Sequence, residues 1–237
     1  MGRFWGADNE SLFDRPIGNE PPKKKIYIAF EGDVTEPDYF YDFIDSNKES
    51  NKYLVEICPL LRYTGDSSSH PYHVRDGMID YYKTSLEGEL FDKTKDQLWI
   101  VIDIDKHFIN GTQSEEQTYR SYLESLEIDG VEIRAAVSKP CFELWLILHH
   151  VDCCSLNLDQ IYLNKTKKVR DGNNNMIKTT YIKDLWYCTK KNNGTSNLIG
   201  KLDYAIENAR NPMLQQNILE MTKSPGTLLY KLFESMN

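Results

Sequence analysis

The stretch from Gln97 to Asp105 reads QLWIVIDID and is the clearest strand signal in the chain. Its apolar residues follow one another without alternation, which is typical of a central parallel strand covered on both faces. The strand ends in Asp103-Ile104-Asp105. In extended chain, side chains two residues apart point to the same side, so the carboxylates of Asp103 and Asp105 lie together. We therefore expect a buried parallel sheet with acidic groups at the end of a central strand.

Other runs around this one predict further strands and helices. The strands are IYIAF (26–30), YLVEICPLL (53–61) and VEIRAAVS (131–138). A first helix is predicted from about Glu36, just after the first strand. The next helices are predicted at 71–87, 115–126 and 141–150. Four strand and helix units in succession favour the α/β class, with a parallel sheet and helices on both faces.

The sequence divides into three parts. Residues 1–24 mix Gly, Asn, Asp and Pro without periodicity, so we interpret them as a flexible N-terminal arm. Residues 25–150 form the predicted α/β domain, and residues 151–237 a helical C-terminal segment packed on it. The helices predicted in this last segment are LDQIYLNKT (158–166), MIKTTYIKDLWYCTKK (176–191), NLIGKLDYAIENAR (197–210) and TLLYKLFESM (227–236).

Composition limits the class of protein. No apolar run approaches the roughly 20 residues of a membrane helix, and the N-terminus lacks the apolar core of a signal peptide. A cytoplasmic protein without membrane attachment is expected. The five cysteines are odd in number and form no C-x-x-C pair, which suits reduced thiols. His149, His150, Cys153 and Cys154 lie close together but match no standard zinc spacing, so buried thiols near a helix end are the favoured interpretation.

The formal net charge of −8 over 237 residues gives no general attraction to nucleic acid. A protein of this charge needs a local basic patch, a bound metal ion or a partner to act on DNA or RNA. Two stretches combine basic and aromatic residues: Tyr162, Lys165, Lys167, Lys168 and Arg170 in one, and Lys183, Trp186, Tyr187, Lys190 and Lys191 in the other. Such stretches can track a phosphate backbone and stack bases. The solvated face of an amphipathic helix is the favoured interpretation.

Acidic residues follow three of the four predicted strands. Glu31 comes after the first strand, and Asp103 and Asp105 end the third. Glu143 comes shortly after the fourth strand and Lys139. In open parallel sheets, ligands bind outside the carboxyl ends of the strands. Carboxylates gathered there resist being ionised together, and a divalent cation removes the repulsion. Oxygen ligands without His or Cys favour Mg²⁺ or Mn²⁺ over zinc.

Phosphodiester chemistry is the reaction that such a site predicts. Bound Mg²⁺ can polarise a phosphate, generate an attacking hydroxide and stabilise the leaving oxygen. Lys139 adds positive charge where negative charge develops in the transition state. Glu36 and Glu143, each at the start of a predicted helix, are candidates for binding a second metal ion or orienting a water. The alternative for both is that they only favour helix N-termini through the dipole.

Four segments follow one another in the order of a known family's motifs. The first is Glu31-Gly32 followed by Thr35-Glu36-Pro37-Asp38-Tyr39-Phe40, and the second is the strand ending at Asp103-Ile104-Asp105. The third is Ser138-Lys139-Pro140-Cys141-Phe142-Glu143-Leu144-Trp145-Leu146, and the fourth is Ser224-Pro225-Gly226-Thr227. Together they resemble the RloB-like family, whose fourth motif begins with Asn instead of Ser. The resemblance covers nearly the whole chain.

The resemblance implies a Toprim-like fold in which Glu31, Asp103 and Asp105 form an acidic centre for Mg²⁺ or Mn²⁺. It also implies a nuclease for DNA or RNA, with tRNA as one candidate, in bacterial anti-phage defence by abortive infection. The implied partner is an ATPase of the AAA or ABC kind, and a homo-oligomer is compatible with it. A non-catalytic subunit that binds metal or a partner is the main alternative. A nucleotide-binding module is disfavoured, because no G-x-x-x-x-G-K-[S/T] or G-x-G-x-x-G follows a strand.

Overall fold

A computed structural model describes residues 23–47, 55–60, 70–86, 90–104, 108, 113–170, 176–194 and 197–236. Asp105 lies outside these residues, as does the predicted N-terminal arm apart from its last two positions. Within the described ranges, no helix has both the length and the apolar character needed to cross a membrane.

The strand that ends at Asp103 lies inside a mostly parallel sheet. The strands of the described ranges are β1 (Lys24–Phe30), β2 (Val55–Leu60), β3 (Gln97–Asp103), β4 (Glu127–Ile128), β5 (Val131–Lys139), β6 (Thr166–Arg170), β7 (Met176–Thr180) and β8 (Gly226–Thr227). The sheet order is β2-β1-β3-β5-β4, with β1, β2, β3 and β5 parallel. The short strands β4 and β8 pair antiparallel with β5. The five central residues of β3 are buried, as its apolar run predicted.

Helices surround this sheet. The α-helices of the described ranges are α1 (Thr35–Asn47), α2 (Pro71–Tyr81), α3 (Glu115–Glu124), α4 (Glu143–Leu148), α5 (Leu158–Leu163), α6 (Tyr181–Asn193), α7 (Leu202–Ala209) and α8 (Leu229–Glu234). The start of α3 follows from a capping box, in which the Ser114 hydroxyl accepts the N–H of Gln117 and the Gln117 side chain accepts the N–H of Ser114.

The residues of β1 pack against helices on both faces of the sheet. Phe30 contacts Phe40 of α1, which in turn stacks on Phe233 of α8 with ring centroids 5.7 Å apart. Tyr27 points the other way and contacts Tyr81 of α2 at 6.1 Å. Successive side chains of a strand point to opposite faces, so these contacts define two helical layers. The α/β class, with a mostly parallel sheet and helices around it, is confirmed.

The C-terminal segment differs from the prediction in one place. Helices occur within each of the four predicted ranges, but 166–170 and 176–180 form an antiparallel hairpin of β6 and β7. The helical interpretation was therefore wrong for these residues. The physical reason is their content of β-branched side chains, such as Thr166, Val169 and Ile177, which favour strands over helices.

The closing motif has a packing role beside β5. Thr227 in β8 places its Oγ1 2.9 Å from the Oγ of Ser138, and both residues are fully buried. A Cβ at Gly226 would lie 2.6 Å from the carbonyl oxygen of Gln215, so only glycine fits between these backbones. The motif thus fixes the C-terminal segment against the end of β5.

Candidate metal centre

Three neighbouring strands bring predicted acidic residues to one edge of the sheet. Strands β1, β3 and β5 are parallel neighbours, and Glu31, Asp103 and Glu143 lie at or just after their carboxyl ends. The strand order reverses at β1, because β2 lies on one side of it and β3 on the other. Crevices at such switch points are where open α/β sheets bind ligands. The fold therefore places these residues where a ligand site is expected.

A pocket of about 300 Å³ opens at this edge. Five carboxylates and one amine line it. One of the carboxylates belongs to the exposed Asp33, and we name the other five charged residues, Glu31, Glu36, Asp103, Glu143 and Lys183, the acidic pocket. The rest of the lining comes from Gly32, Asp33, Val34, Thr35 and Phe142. The structure thus brings together four of the residues that the sequence predicted for the site.

Glu31 is held by the backbone of the neighbouring strand. Its amide N–H donates to the carbonyl oxygen of Val101 at 3.0 Å. Its carboxylate Oε2 accepts the amide N–H of Asp103 at 2.8 Å. Glu31 is 6% exposed, and a buried carboxylate needs such partners to stay charged. The first bond fixes the backbone of Glu31, and the second holds its carboxylate against the backbone of Asp103.

Glu36 reaches the pocket because residue 32 has no side chain. The Glu36 carboxylate lies over Gly32, so close that a Cβ at that position would collide with it. Burial raises the pKa of the Glu36 carboxyl, and the charge of Glu143 adds to the rise. The backbone N–H groups of Glu36 and Gly32 act in the opposite direction. In the absence of a cation, burial therefore disfavours the charged form of the Glu36 carboxyl.

The structure adds Lys183, which the sequence did not single out as a site residue. This lysine lies in the first turn of α6, and its half-exposed side chain reaches the pocket with Nζ 3.8 Å from Oε1 of Glu143. The charge of Glu143 is the main cause that raises the pKa of Lys183, and Asp103 and Glu36 contribute. The basic and aromatic pattern around Lys183 gives no sign of this, because only the packing of α6 on α4 brings it there.

Lys139 occupies a different place from the one the sequence suggested. Its Nζ donates to Oε1 of Glu115 at 2.7 Å, and it lies 5.9 Å from the centre of the Tyr162 ring. The side chain is 10% exposed and does not line the acidic pocket. It is thus a paired structural cation of the α3 side, and Lys183 provides the positive charge of the pocket.

Asp105, the third predicted member of the acidic centre, lies outside the described residues. Its predecessor Ile104 is fully buried, and its N–H donates to the carbonyl oxygen of Ser138 at 2.7 Å. The pairing of β3 with β5 therefore continues one residue beyond Asp103. The assignment of Asp105 to the metal site stays a prediction.

The donor set of the acidic pocket fits a hard divalent cation. Its carboxylates offer only oxygen atoms, which Mg²⁺ and Mn²⁺ prefer. Burial, with the charges of Glu143 and Asp103, raises the pKa of the adjacent Cys141 thiol well above its ordinary value, so this thiol stays neutral. Among the described residues, no three of the pocket carboxylates bring oxygens within 4.8 Å of one another. Because Mg²⁺ keeps several waters when only one or two carboxylates hold it, this spacing suits a hydrated ion.

The zinc interpretation of the His and Cys cluster gains no support. His149 is fully buried and is bonded at both ring nitrogens, to the hydroxyl of Tyr39 at 3.0 Å and to the carbonyl oxygen of Trp145 at 2.9 Å. In the described part of the chain, three metal-type ligand atoms lie within 4.8 Å of one another only in Asp152, Cys153 and Cys154. Asp152 uses its carboxylate to accept the N–H of Cys154 at 2.8 Å and so caps the short turn.

Comparison with known proteins gives one finding that covers this site. The model of a protein family described as RloB-like protein matches residues 26–236. Searches of curated proteins and of solved structures found no match. All five residues of the acidic pocket lie inside the matched range.

Proposed function

Because this chain belongs to the RloB-like protein family, we propose that it is a Mg²⁺-dependent nuclease that hydrolyses phosphodiester bonds of DNA or RNA, tRNA included. The observation that supports the proposal is the acidic pocket, with four carboxylates and a lysine at the carboxyl ends of neighbouring strands. Gathering like charges in a partly buried crevice costs free energy. A bound cation offsets that cost. A purely structural role for these carboxylates does not explain why they are gathered in one crevice.

In this proposal, Glu31 and Asp103 hold the metal ion. Asp105 joins them on the strength of the family resemblance alone. Bound Mg²⁺ supplies a Lewis acid for the phosphate and lowers the pKa of a coordinated water. The hydrogen bond from Asp103 N–H already fixes the Glu31 carboxylate, so little reorganisation is needed when the ion binds.

The other three residues of the pocket act on substrate and water. Glu36 and Glu143 are close enough for one charge to act on the other, and we assign them to orienting the attacking water or holding a second ion. Lys183 takes the part that the sequence suggested for Lys139, donating to a phosphate oxygen as negative charge develops. Its Nζ lies 3.8 Å from Glu143 and its side chain is half-exposed, so it can turn towards an entering phosphate.

The proposed biological role is that of an effector in bacterial anti-phage defence that works with a partner ATPase of the AAA or ABC kind. This part rests on the family resemblance. The net charge of −8 supports it, because the chain has little general attraction for nucleic acid and a partner can control access to the pocket.

A second candidate function is a non-catalytic subunit that binds a metal ion or a partner through the same pocket. The observation that favours it is the separation of the carboxylates, no three of which approach within 4.8 Å among the described residues. Two-metal phosphodiester sites hold their ions roughly 4 Å apart between shared ligands. In this alternative, the ATPase does the chemical work.

Cleavage of labelled DNA, RNA and tRNA by the purified protein distinguishes the two functions. Wild type is compared with Asp103→Asn, Glu31→Gln and the control Asp80→Asn, a change on the exposed side of α2. With Mg²⁺, we expect the two pocket variants to lose at least about 100-fold in rate and the control to match wild type. Without Mg²⁺, neither pocket variant should melt below wild type, because the substitutions are isosteric and remove one of the charges that repel each other.

Activity that survives both pocket substitutions would sink the nuclease proposal. If wild type alone shows no cleavage, the assay is repeated with the proposed partner ATPase present. Silence there as well, together with defence in cells that tolerates Asp103→Asn, favours the non-catalytic subunit.

A further inference from the structure

One short segment carries a charge opposite to that of the whole chain. Residues 165–183 contain six of the 28 Lys and Arg residues and one of the 36 Asp and Glu residues. Their formal charge is therefore +5, in a chain whose net charge is −8. Most of this segment is the hairpin of β6 and β7, whose residues are exposed or half-exposed throughout. A local basic patch is one of the three features by which a chain of this net charge can contact nucleic acid.

Two lysines face each other across the hairpin. The antiparallel register places Lys168 directly opposite Lys178 on one face. Arg170 lies on the same face as Lys168, because side chains two residues apart in a strand point the same way. Within the described part of the chain, neither Lys168 nor Lys178 has an ion-pair partner. The hairpin therefore presents a cationic face with unneutralised charge.

Folding alone does not account for this face. Like charges directly opposite each other destabilise a strand pair, and a two-stranded hairpin is marginally stable to begin with. Exposed strand edges do use lysines to prevent edge-to-edge association. Staggered lysines serve that purpose without repulsion, whereas Lys168 and Lys178 are in register.

The opposite face of the hairpin is attached to the helix that enters the acidic pocket. Lys167 forms an ion pair with Asp184 of α6 at 2.5 Å and lies 5.8 Å from the ring of Tyr181. The N–H of Tyr181 donates to the carbonyl oxygen of Lys165 at 3.1 Å. Lys183 of the pocket follows two residues later. The base of the hairpin thus adjoins the pocket, and its cationic face is turned away from α6.

We propose that the β6–β7 hairpin is an arm that binds the phosphodiester backbone of nucleic acid and holds it beside the acidic pocket. This rests on the proposed function, since it supplies the substrate affinity that an acidic protein otherwise lacks. Charge complementarity selects the occupant, because two unpaired ammonium groups on an exposed ribbon match a polyanion. The exposed Tyr162 and Tyr187 lie in α5 and α6, the helices that precede and follow the hairpin in the chain, and offer rings on which bases can stack.

Binding is measured on the full chain with Ca²⁺ in place of Mg²⁺, over a series of salt concentrations. The probes are a labelled RNA strand, a DNA strand of the same sequence and the DNA duplex, with polyglutamate as the protein-like polyanion. The test variant is Lys168→Gln with Lys178→Gln. The matched control is Lys83→Gln with Lys93→Gln, which removes the same charge from exposed positions outside both basic and aromatic stretches. Cleavage by the same proteins is measured separately with Mg²⁺.

We expect the hairpin variant to bind nucleic acid about tenfold more weakly and the control to stay within about twofold of wild type. The slope of log affinity against log salt should fall by roughly 1.4 for single strands and roughly 1.8 for the duplex, the loss of two phosphate contacts. The RNA and DNA arms show which backbone the hairpin prefers. A hairpin variant with unchanged affinity and slope overturns the proposal, as does an equal loss in the control.

Three further outcomes separate this proposal from the proposed function. Hairpin-dependent binding without any cleavage supports the arm and counts against the nuclease. If cleavage depends on the pocket residues but the hairpin variant cleaves and binds as wild type does, the proposed arm is wrong and the proposed nuclease function is unaffected. A wild type that binds polyglutamate but no nucleic acid overturns the arm and identifies the hairpin as a surface for an acidic protein.

Discussion

The acidic pocket and the basic hairpin adjoin each other, and they are built in opposite ways. The pocket carboxylates lie at strand ends and helix starts of the buried sheet, where backbone bonds such as that between Glu31 and Asp103 N–H hold them. The hairpin rests on α6, and its strands are open to solvent. A site for a small ion needs fixed oxygens, whereas a contact with a long flexible polyanion needs charge and reach. From this comparison we predict that substitutions in the pocket change the rate of cleavage, whereas substitutions in the hairpin change the affinity for nucleic acid.

The largest effect is expected at Lys183, where the two regions meet. At saturating Mg²⁺, Lys183→Gln should lower the rate of cleavage by about 100-fold, because one donor to the developing charge is lost. Folding should be little affected, since the side chain is half-exposed. Lys190→Gln on the same helix is the control for charge alone. If Lys183→Gln lowers only the affinity for substrate, Lys183 contributes to substrate binding together with the hairpin and not to the chemical step in the pocket.

The next effect concerns the pH dependence of stability that the buried His149 causes. The hydrogen bond between Tyr39 and His149 links α1 to the residue that follows α4, and these helices carry Glu36 and Glu143. Burial lowers the pKa of His149 to about 4. In the unfolded chain a histidine titrates near pH 6.5, so between these values only the unfolded state takes up the proton. The contribution of the neutral His149 to the free energy of unfolding is therefore fully present above pH 6.5 and is lost as the pH falls towards 4.

Urea unfolding at pH 7.5 and pH 5 measures this dependence. Between pH 7.5 and pH 5 we expect the free energy of unfolding of wild type to fall by about 2 kcal/mol because of His149 alone. In His149→Gln that part of the pH dependence should disappear, although the variant is less stable at neutral pH. The exposed His73 on α2 provides the control, and His73→Gln should follow wild type. Equal pH dependence in wild type and His149→Gln would contradict the buried, neutral imidazole.

A smaller effect is expected from one methyl group at the pocket. In Gly32→Ala the new Cβ meets the Glu36 carboxylate, which must turn away from the pocket. We expect the Mg²⁺ concentration for half-maximal cleavage to rise roughly tenfold, as when a supporting group of a metal site is disturbed. Gly77→Ala in α2 is the matched change, since a Cβ there meets nothing within 4 Å. It should leave cleavage unchanged and add up to about 1 kcal/mol of stability.

The contrast between the two regions also explains what the sequence could predict. Apolar runs identified the buried strands, and the carboxylates that end them, Glu31 and Asp103, followed from the rule that ligands bind at strand ends. Lys183 could not be found in this way, because its place depends on how α6 packs on α4. Nor could the sequence show that the Lys139 side chain pairs with Glu115 and lies outside the pocket lining. These two positions are set by tertiary packing, which periodicity does not encode.

The hairpin was missed for a different reason. Its strands have few apolar residues and no buried face, so the alternation that marks a strand is absent. A usable signal was nonetheless present. Asp171-Gly172 is a turn dipeptide between two short runs with β-branched residues, which is a hairpin pattern. The lysines concealed it, because lysine is common on the solvated faces of helices.

The smallest effect is expected within the hairpin itself. Lys168→Glu turns the repulsion with Lys178 into attraction across the strand pair, which is worth about 0.5 kcal/mol. Amide hydrogen exchange of β6 and β7 should slow about twofold. Lys167→Glu is the control of opposite sign, because it places a second acid beside Asp184, and exchange should become faster. If Lys168→Glu makes the hairpin more stable but weakens its binding to nucleic acid, the lysines are there for binding and not for folding. If stability and affinity change in the same direction, the stability of the hairpin alone accounts for its charges.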